Sequence, residues 1–180
     1  MKILFTGGGT GGHIFPIVSV ARELKKYYSK EDLYLFFAGP REKVPLTDLT
    51  REGIKVKRII AGKIRRYFTI GSLFQNLFDI FFKIPIGVIQ AFFYVFFLSP
   101  DLIFSKGGYG SFSTVLAGKF LGTPVFLHES DTIPGLTNRF TAKFALEIFV
   151  SFPTVKTKYF PQERMLFVGN PIRQTLLQGN

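Results

Sequence analysis

Five glycines and a histidine follow the first apolar run of the chain, which begins MKILFTGGGTGGH. The pattern G-x-G-x-x-G fits Gly7, Gly9 and Gly12, directly after a predicted strand and before a predicted helix. Glycine lets the backbone approach an anion closely, and the N-terminus of a helix offers free N–H groups and a partial positive charge. This first glycine loop (residues 7–12) therefore predicts a diphosphate site, although strand–helix turns also carry glycines for packing alone.

His13 comes directly after this loop, in the first turn of the predicted helix. The positive end of a helix disfavours a charged imidazolium, so we expect a neutral ring. A neutral imidazole could accept a proton from a substrate or form a hydrogen bond with a phosphate. A buried histidine with a purely structural role is the alternative.

Two later segments also place polar or glycine residues after a predicted strand. The second glycine loop (residues 106–110) lies in KGGYGSFS and contains Tyr109, and the segment FLHESD ends with His128, Glu129, Ser130 and Asp131. In parallel sheets, ligands bind outside the carboxyl ends of the strands. Three such segments at one edge predict a site for two phosphates or one large phosphorylated ligand. A structural turn is the alternative for the pair His128 and Glu129.

Two familiar kinds of nucleotide site are disfavoured because residues that they need are missing near the glycine loops. A dinucleotide site needs an acidic residue at the end of the second strand, about 20 positions on, but that strand ends FFAGPRE. A Walker site needs Gly-Lys-Ser/Thr, which does not follow the first glycine loop. Two histidines with scattered acidic residues do not form a convincing metal site. We expect no cofactor and no bound metal.

Composition limits the class of protein. The 180 residues, 47% of them hydrophobic, suffice for one domain, and the absence of cysteine excludes disulfides and favours a reducing compartment. The net charge of +11 predicts an anionic partner. The 23 phenylalanines favour a membrane surface over nucleic acid as that partner. The N-terminus lacks the pattern of a signal peptide, so a cytoplasmic location is expected.

The elements that must position these residues alternate along the chain. Apolar runs such as KILFT, LYLFFAG and PVFLH predict strands, and amphipathic segments such as PIVSVARELKKYY predict the helices between them. Strands separated by helices form parallel sheets. The predicted fold class is therefore α/β, a Rossmann-like, doubly wound parallel sheet with helices on both faces.

Residues 73–98 are long and apolar, with polar residues recurring every three or four positions and Pro85 predicted to kink or split the helix. We favour an element that lies in the membrane interface, and we keep core-packed helices and a transmembrane span as alternatives. The basic segment GKIRRY precedes it. The residues predicted to bind the membrane are Arg65, Arg66, Phe74, Phe78, Phe81 and Phe82.

Four ordered motifs, GGGTGGHIFP, PDLIFSKGGYGSF, HESDTIPGLTNR and VGNPIR, resemble the N-terminal half of the MurG family of bacterial N-acetylglucosaminyltransferases. The resemblance runs from Met1 to about Arg173. It implies that residues 1–173 form the N-terminal domain of a GT-B glycosyltransferase, that residues 174–180 begin the interdomain linker, and that the C-terminal donor domain is absent.

The resemblance also implies an activity. The family transfers GlcNAc from UDP-GlcNAc to the undecaprenyl-diphosphate-linked muramyl peptide, lipid I, by an inverting, metal-independent reaction that gives lipid II. Its N-terminal domain binds the acceptor and the cytoplasmic face of the plasma membrane, as a peripheral protein. This chain would then supply the acceptor side of a hexosyltransferase and be inactive alone. The missing donor domain, or a separate donor-binding chain, would be its partner.

Two other interpretations stay open, a non-catalytic membrane-anchoring subunit that recruits a UDP-sugar-binding chain and an ordinary nucleotide-binding domain.

The resemblance to the MurG family also implies site residues. The catalytic candidates are His13 and Glu129, and Asn138 shapes the same cleft. The residues expected to bind the acceptor diphosphate are Gly8, Gly9, Gly11, Gly12, Gly107, Gly108 and Tyr109. Those expected to contact the donor are Thr10, Gly11, Gly12, Asp131 and Arg173.

One of these residues departs from the family pattern. Many members have His-Glu-Gln-Asn where this chain has HESD, so Asp131 replaces an amide. A carboxylate repels a diphosphate unless a cation lies between them. The donor contact expected of Asp131 therefore needs a cation or an arginine beside the carboxylate.

Overall fold

Seven strands form one parallel sheet in the computed structural model of the protein, which describes residues 1–8, 11–40, 47–65, 67, 69–153 and 159–171. The strands are β1 (Lys2–Thr6), β2 (Tyr34–Gly39), β3 (Lys55–Arg58), β4 (Leu102–Ser105), β5 (Val125–Glu129), β6 (Glu147–Val150) and β7 (Met165–Phe167). Their order is β3-β2-β1-β4-β5-β6-β7, and every neighbouring pair is parallel. The predicted doubly wound parallel sheet is thus confirmed.

Helices cover both faces of this sheet. They are α1 (Gly11–Tyr27), α2 (Thr47–Arg51), α3 (Ile70–Phe78), α4 (Ile84–Leu98), α5 (Phe112–Leu121) and α6 (Leu136–Thr141). A π-helical turn, Asp79–Lys83, joins α3 to α4, and short 3₁₀ turns lie at Tyr109–Ser111, Ala142–Phe144 and Gln162–Arg164. The predicted kink or split at Pro85 takes the form of a change of helix type in the turn before Pro85, and the backbone stays helical from Ile70 to Leu98.

The core lies on both sides of the sheet because successive strand residues point to opposite faces. Phe5 in β1 packs in a cluster with Ile17 of α1, whereas its neighbour Leu4 packs with Val95 of α4 and Val115 of α5. The order of the strands changes direction between β1 and β4. In open parallel sheets, such a switch point leaves a crevice at the carboxyl ends of the two strands, and ligands bind there.

The polar residues of the α3–α4 segment face the protein. Asn76 accepts a hydrogen bond from the Arg65 N–H at 2.9 Å and donates one to the Arg65 carbonyl at 3.0 Å. The side-chain oxygen of Gln90 accepts from the Ile60 N–H at 2.9 Å. A Cβ on Gly87 would lie 2.0 Å from the Ile60 carbonyl oxygen, so only glycine fits there. These contacts form a polar seam between the helices and residues 60–65.

Asp79 is the charged centre of this seam. Its buried carboxylate accepts from the Lys63 N–H at 3.0 Å and pairs with Lys83 at 2.6 Å and Arg65 at 3.1 Å. Burial raises the pKa of Asp79, but the hydrogen bonds from Lys83, the Lys63 N–H and Arg65 outweigh burial and lower that pKa overall. The Arg65 side chain is only 19% exposed. Its charge therefore serves the seam, and it is not the free cation expected at a lipid surface, while Arg66 lies outside the described residues.

The apolar side of the same segment faces outward. The four phenylalanines predicted to meet lipid, Phe74, Phe78, Phe81 and Phe82, are all more than half exposed. The exposed face continues along α4 through Ile86, Ile89, Phe93, Phe96 and Phe97. This exposure argues against the alternative of core-packed helices. Among the described residues, Ile70–Leu98 is one helical segment long and apolar enough to cross a membrane by length and composition. We call its outward side the apolar face.

Candidate functional site

A cleft of about 420 Å³ opens at the carboxyl edge of the sheet. Its polar lining is His13, Lys63, Tyr109, Glu129, Asp131 and Asn138, with the backbone of Gly108, and its apolar lining includes Ile64, Ile84, Phe112, Leu136 and Phe140. Residues from all three predicted segments therefore meet in one cavity. Ile84 is the first residue of α4, so the cleft adjoins a helix that carries part of the apolar face.

The two glycine loops lie against each other. Gly108 has a φ of +79°, and a Cβ there would lie 2.2 Å from the Gly8 carbonyl oxygen. Gly107 has a φ of +83°, and its Cβ would lie 2.5 Å from the side-chain oxygen of Asn138. Both positions need glycine for conformation and for space. At Gly11 a Cβ would meet only a Phe15 ring carbon at 3.0 Å, so the restriction there is milder.

His13 presents one ring nitrogen to the backbone and the other to the loop. Its Nδ1 lies 3.2 Å from the Lys106 carbonyl oxygen. Because a carbonyl can only accept, Nδ1 carries the hydrogen and Nε2 keeps its lone pair. A Cβ on Gly108 would lie 3.0 Å from that Nε2, which places it beside the second glycine loop. The tautomer suits a proton acceptor better than a phosphate donor.

The ring of His13 is neutral at physiological pH. Burial and the nearby positive charge of Lys106 lower its pKa, while the Lys106 carbonyl, Glu129 and Asp131 act in the opposite direction. The predicted neutral ring is confirmed in direction. The causes that we find are burial and a lysine that the sequence analysis did not consider.

Glu129 uses both carboxylate oxygens within the fold. One oxygen accepts from the Asp131 N–H at 3.0 Å, and the other accepts from the Gly135 N–H at 3.0 Å and the Asn138 amide at 2.9 Å. These bonds fix the turn between β5 and α6. The geometry favours a positioning role for Glu129 over proton transfer, so its catalytic role stays a prediction without structural support.

His128 is buried beneath the cleft and does not line it. Its Nε2 lies 3.1 Å from the Gly169 carbonyl oxygen, while Nδ1 is buried and has no partner among the described residues. Burial, with a contribution from the charge of Lys106, lowers its pKa to about 4. The structural interpretation of His128 is the one that these contacts support.

Lys106 is a functional candidate that the sequence analysis missed. The residue is 2% exposed, its N–H donates to the Thr6 carbonyl at 2.8 Å, and its ammonium donates to the Ser130 hydroxyl. Burial lowers the pKa of Lys106 to about 8, although Glu129 and Asp131 counteract part of that effect. The available signal was a cation placed directly between a buried strand and two glycines.

Four predicted residues, Gly9, Thr10, Arg66 and Arg173, lie outside the described residues, as do positions 174–180. Within the described part of the chain, no three His, Cys, Asp or Glu side chains are grouped as metal ligands. The donor contacts expected of Gly12 and Asp131, and the diphosphate contact of Tyr109, stay predictions, although Asp131 and Tyr109 do line the cleft.

Comparison with known proteins identifies a family and relatives that the chain resembles. The profile described as the glycosyltransferase family 28 N-terminal domain matches residues 3–150. The chain is 37% identical over 179 residues to a UDP-N-acetylglucosamine--N-acetylmuramyl-(pentapeptide) pyrophosphoryl-undecaprenol N-acetylglucosamine transferase 2 of Bacillus cereus, covering 99% of this chain and 48% of the relative. The corresponding transferase of Borrelia hermsii is 36% identical over 180 residues, with 99% and 48% covered. The chain thus spans about half the length of these relatives.

Solved structures resemble the same half. The TM-score is 0.73 with the crystal structure of Acinetobacter baumannii MurG, at 24% identity over 96% of this chain and 46% of that one. It is 0.66 with the UDP-GlcNAc 2-epimerase from Neisseria meningitidis bound to UDP-GlcNAc, at 15% identity over 99% and 49% of the two chains. These likenesses confirm the expected fold, the N-terminal Rossmann-like half of a GT-B protein.

Proposed function

The chain belongs to the family of glycosyltransferase family 28 N-terminal domains, and from that premise we propose that it supplies the acceptor side of the N-acetylglucosaminyltransferase of peptidoglycan synthesis. The complete reaction would transfer GlcNAc from UDP-GlcNAc to lipid I and give lipid II. Relatives with that activity in their names are about twice as long as this chain. The observation that carries the proposal is a cleft that is lined both by the second glycine loop and by Ile84, the first residue of a helix that carries part of the apolar face.

The order of chemical groups along the cleft fits the acceptor. Lipid I carries a prenyl chain, a diphosphate and a muramyl sugar in sequence. Ile64 and Ile84 line the cleft next to the start of α4 and would suit the first prenyl units. The bare backbone of the second glycine loop suits the diphosphate. The muramyl sugar would then lie beside His13.

His13 supports the chemistry proposed for the site. Its Nε2 would accept the proton of the muramyl 4-hydroxyl while that oxygen forms a bond to the anomeric carbon of GlcNAc. The bond from that carbon to the UDP oxygen breaks with its electron pair, and attack from the opposite face inverts the configuration. A neutral ring with a free lone pair is the state that this step needs. It favours the catalytic proposal over a non-catalytic anchoring subunit.

We propose that the apolar face docks on the cytoplasmic face of the plasma membrane. Its exposed phenylalanines offer apolar area, and the net charge of +11 attracts anionic lipids. An interfacial position is favoured over a span because the opposite side of the helices is bound to residues 60–65. A span would carry the Asp79 ion pairs and that irregular backbone into hydrocarbon.

Two glycines provide a matched test of the diphosphate assignment. Gly108 and Gly122 have similar positive φ values of +79° and +70°, but no atom lies within 4 Å of a Cβ on Gly122. Both alanine variants should lose roughly 1 kcal/mol of stability from backbone strain, and Gly108→Ala should lose more because its Cβ would meet the Gly8 carbonyl oxygen. Only Gly108→Ala should also abolish binding of a soluble, diphosphate-containing lipid I analogue in calorimetry.

Two results would contradict the proposal. One is acceptor binding by Gly108→Ala at the wild-type affinity, which would remove the second glycine loop from the site. The other is tight binding of UDP-GlcNAc by the wild-type chain with no binding of the acceptor analogue. That result would assign this domain to the donor side.

A further inference from the structure

Lys106 occupies the centre of the carboxyl edge of the sheet. It directly follows β4, beside β1, at the point where the strand order changes direction. A Cβ on Gly7 would lie 3.4 Å from the Lys106 Cβ, so the lysine stem packs against the first glycine loop. The second glycine loop follows it in sequence. Lys106 itself does not line the cleft, so it would act on a ligand of the two loops through its charge and through its contact with Ser130.

The ammonium group is buried without a paired carboxylate. Within the described residues it forms no ion pair, and its hydrogen-bond partner is the hydroxyl of Ser130. That hydroxyl in turn donates to the side-chain oxygen of Asn170 at 3.3 Å. Removing an unpaired ammonium from water costs several kcal/mol, as a rough figure. Stability of the fold alone does not account for a lysine here.

The cleft above Lys106 has a charge imbalance that this ammonium would correct. Glu129 and Asp131 both line the cleft, and the Asp131 carboxylate forms no ion pair with any described residue. Two carboxylates would repel a diphosphate. Lys63 also lines the cleft, with its ammonium 5.8 Å from the centre of the Tyr109 ring, and it offsets one of the two carboxylates.

We infer that Lys106 is a positioning residue that makes the cleft receptive to a diphosphate, by offsetting the charge of Asp131 and by holding the Ser130 turn. This inference rests on the proposed function, because it needs a diphosphate on the glycine loops. The charges of Lys106 and Asp131 act on each other although the two groups form no ion pair, so the carboxylate that replaces the family's amide has a cation nearby. Lys106 and Asp131 would thus act as a pair.

The ionisation of Lys106 gives the inference a pH signature. With a pKa of about 8, the ammonium is mostly protonated at neutral pH and loses its charge in mildly alkaline solution. The titratable groups that face it among the described residues are His13 from α1 and His128, Glu129 and Asp131 from the end of β5. The pKa values of both histidines are lowered from 6.5, away from the range between pH 7 and pH 9. A loss of affinity in that range therefore reports Lys106.

The test is a double-mutant cycle with Lys106→Met, Asp131→Asn and the double variant, using calorimetry with the soluble lipid I analogue and, in a separate arm, UDP-GlcNAc. Methionine keeps the length of the side chain and removes the charge. Lys106→Met should weaken binding of the analogue about tenfold or more in the wild-type background, and about threefold or less beside Asp131→Asn. The wild-type affinity should fall from about pH 7 to about pH 9, and that of Lys106→Met should not.

Equal affinity of Lys106→Met and wild type, or an equal loss in both backgrounds, would overturn the inference. If the analogue still bound the wild type in a manner that Gly108→Ala abolished, the proposed function would survive that failure. Conversely, a Lys106-dependent affinity for UDP-GlcNAc alone would support the inference and overturn the acceptor assignment. If Lys106→Met did not fold, two other results would decide. They are the fall in wild-type affinity between about pH 7 and about pH 9, and tighter binding of the analogue by Asp131→Asn, which removes a repelling carboxylate. If neither were observed, the inference would be wrong.

Discussion

Acid should destabilise the protein through His128, because the folded chain disfavours protonation of this side chain. Nε2 donates to the Gly169 carbonyl at 3.1 Å, so protonation must place a second hydrogen on Nδ1. That nitrogen is buried and has no acceptor among the described residues. The pKa of His128 accordingly falls from 6.5 to about 4 in the folded chain. At roughly 1.4 kcal/mol for each tenfold change in proton affinity, the folded state loses about 3 kcal/mol relative to the unfolded state.

The sign follows from the lowered pKa. Between pH 6.5 and about 4 the unfolded chain binds a proton at this residue and the folded chain does not. The contribution of His128 to the free energy of unfolding is therefore fully present above pH 6.5 and is lost as the pH falls toward 4. His128→Gln should retain a donor for the Gly169 carbonyl while removing the titrating group. The variant should lose less stability in acid than the wild type.

The assay is urea unfolding followed by circular dichroism, with wild type and His128→Gln compared at several values between about pH 7 and about pH 4. Buried carboxylates and His13 titrate in both proteins, so their contributions cancel in the difference between the two. That difference should change by about 3 kcal/mol across the range. Parallel pH curves for the two proteins would refute the reasoning, because they would mean that folding does not hold His128 in its neutral form.

Three further outcomes can be checked. Phe81→Ser should weaken binding to anionic vesicles about tenfold in a flotation assay. Phe120→Ser on α5 is the control, because Phe120 is equally exposed at 67%, and it should not weaken binding. Equal losses in the two variants would show that the apolar face does not dock on the membrane. Asp79→Asn should lower the free energy of unfolding by about 2 kcal/mol in urea titration, and an unchanged value would show that its ion pairs contribute nothing. Lys106→Met should raise the pKa of His13 in an NMR titration, because the lysine charge lowers it; a pKa that did not rise would contradict that electrostatic coupling.

Most of the fold follows from local patterns in the sequence. Apolar runs bounded by glycines predicted the strands, and the helical periodicity between them predicted a parallel sheet, because parallel strands need crossover connections. The position of the two glycine loops at one edge follows from that topology alone. This is why the convergence of His13, Tyr109 and Asp131 could be predicted without coordinates.

The roles of single polar residues could not be predicted in this way. The spacing of Asn76, Asp79 and Gln90 shows that they share one side of a helix, but not whether that side meets water or backbone. Their partners are the N–H and carbonyl groups of residues 60–65, which carry no sequence signature. The family resemblance implied a catalytic role for Glu129 but not its partners, which are backbone N–H groups and an amide on its two oxygens.

The polar seam behind α3 and α4 has a mechanical consequence. Hydrogen bonds to the backbone hold the helices rigidly against the domain, so the apolar face and the mouth of the cleft keep one mutual orientation. A domain docked through that face would hold its glycine loops at a constant height above the bilayer, near the level of the phosphates of an embedded lipid. Its substrate would then arrive by diffusion in two dimensions, without leaving the membrane.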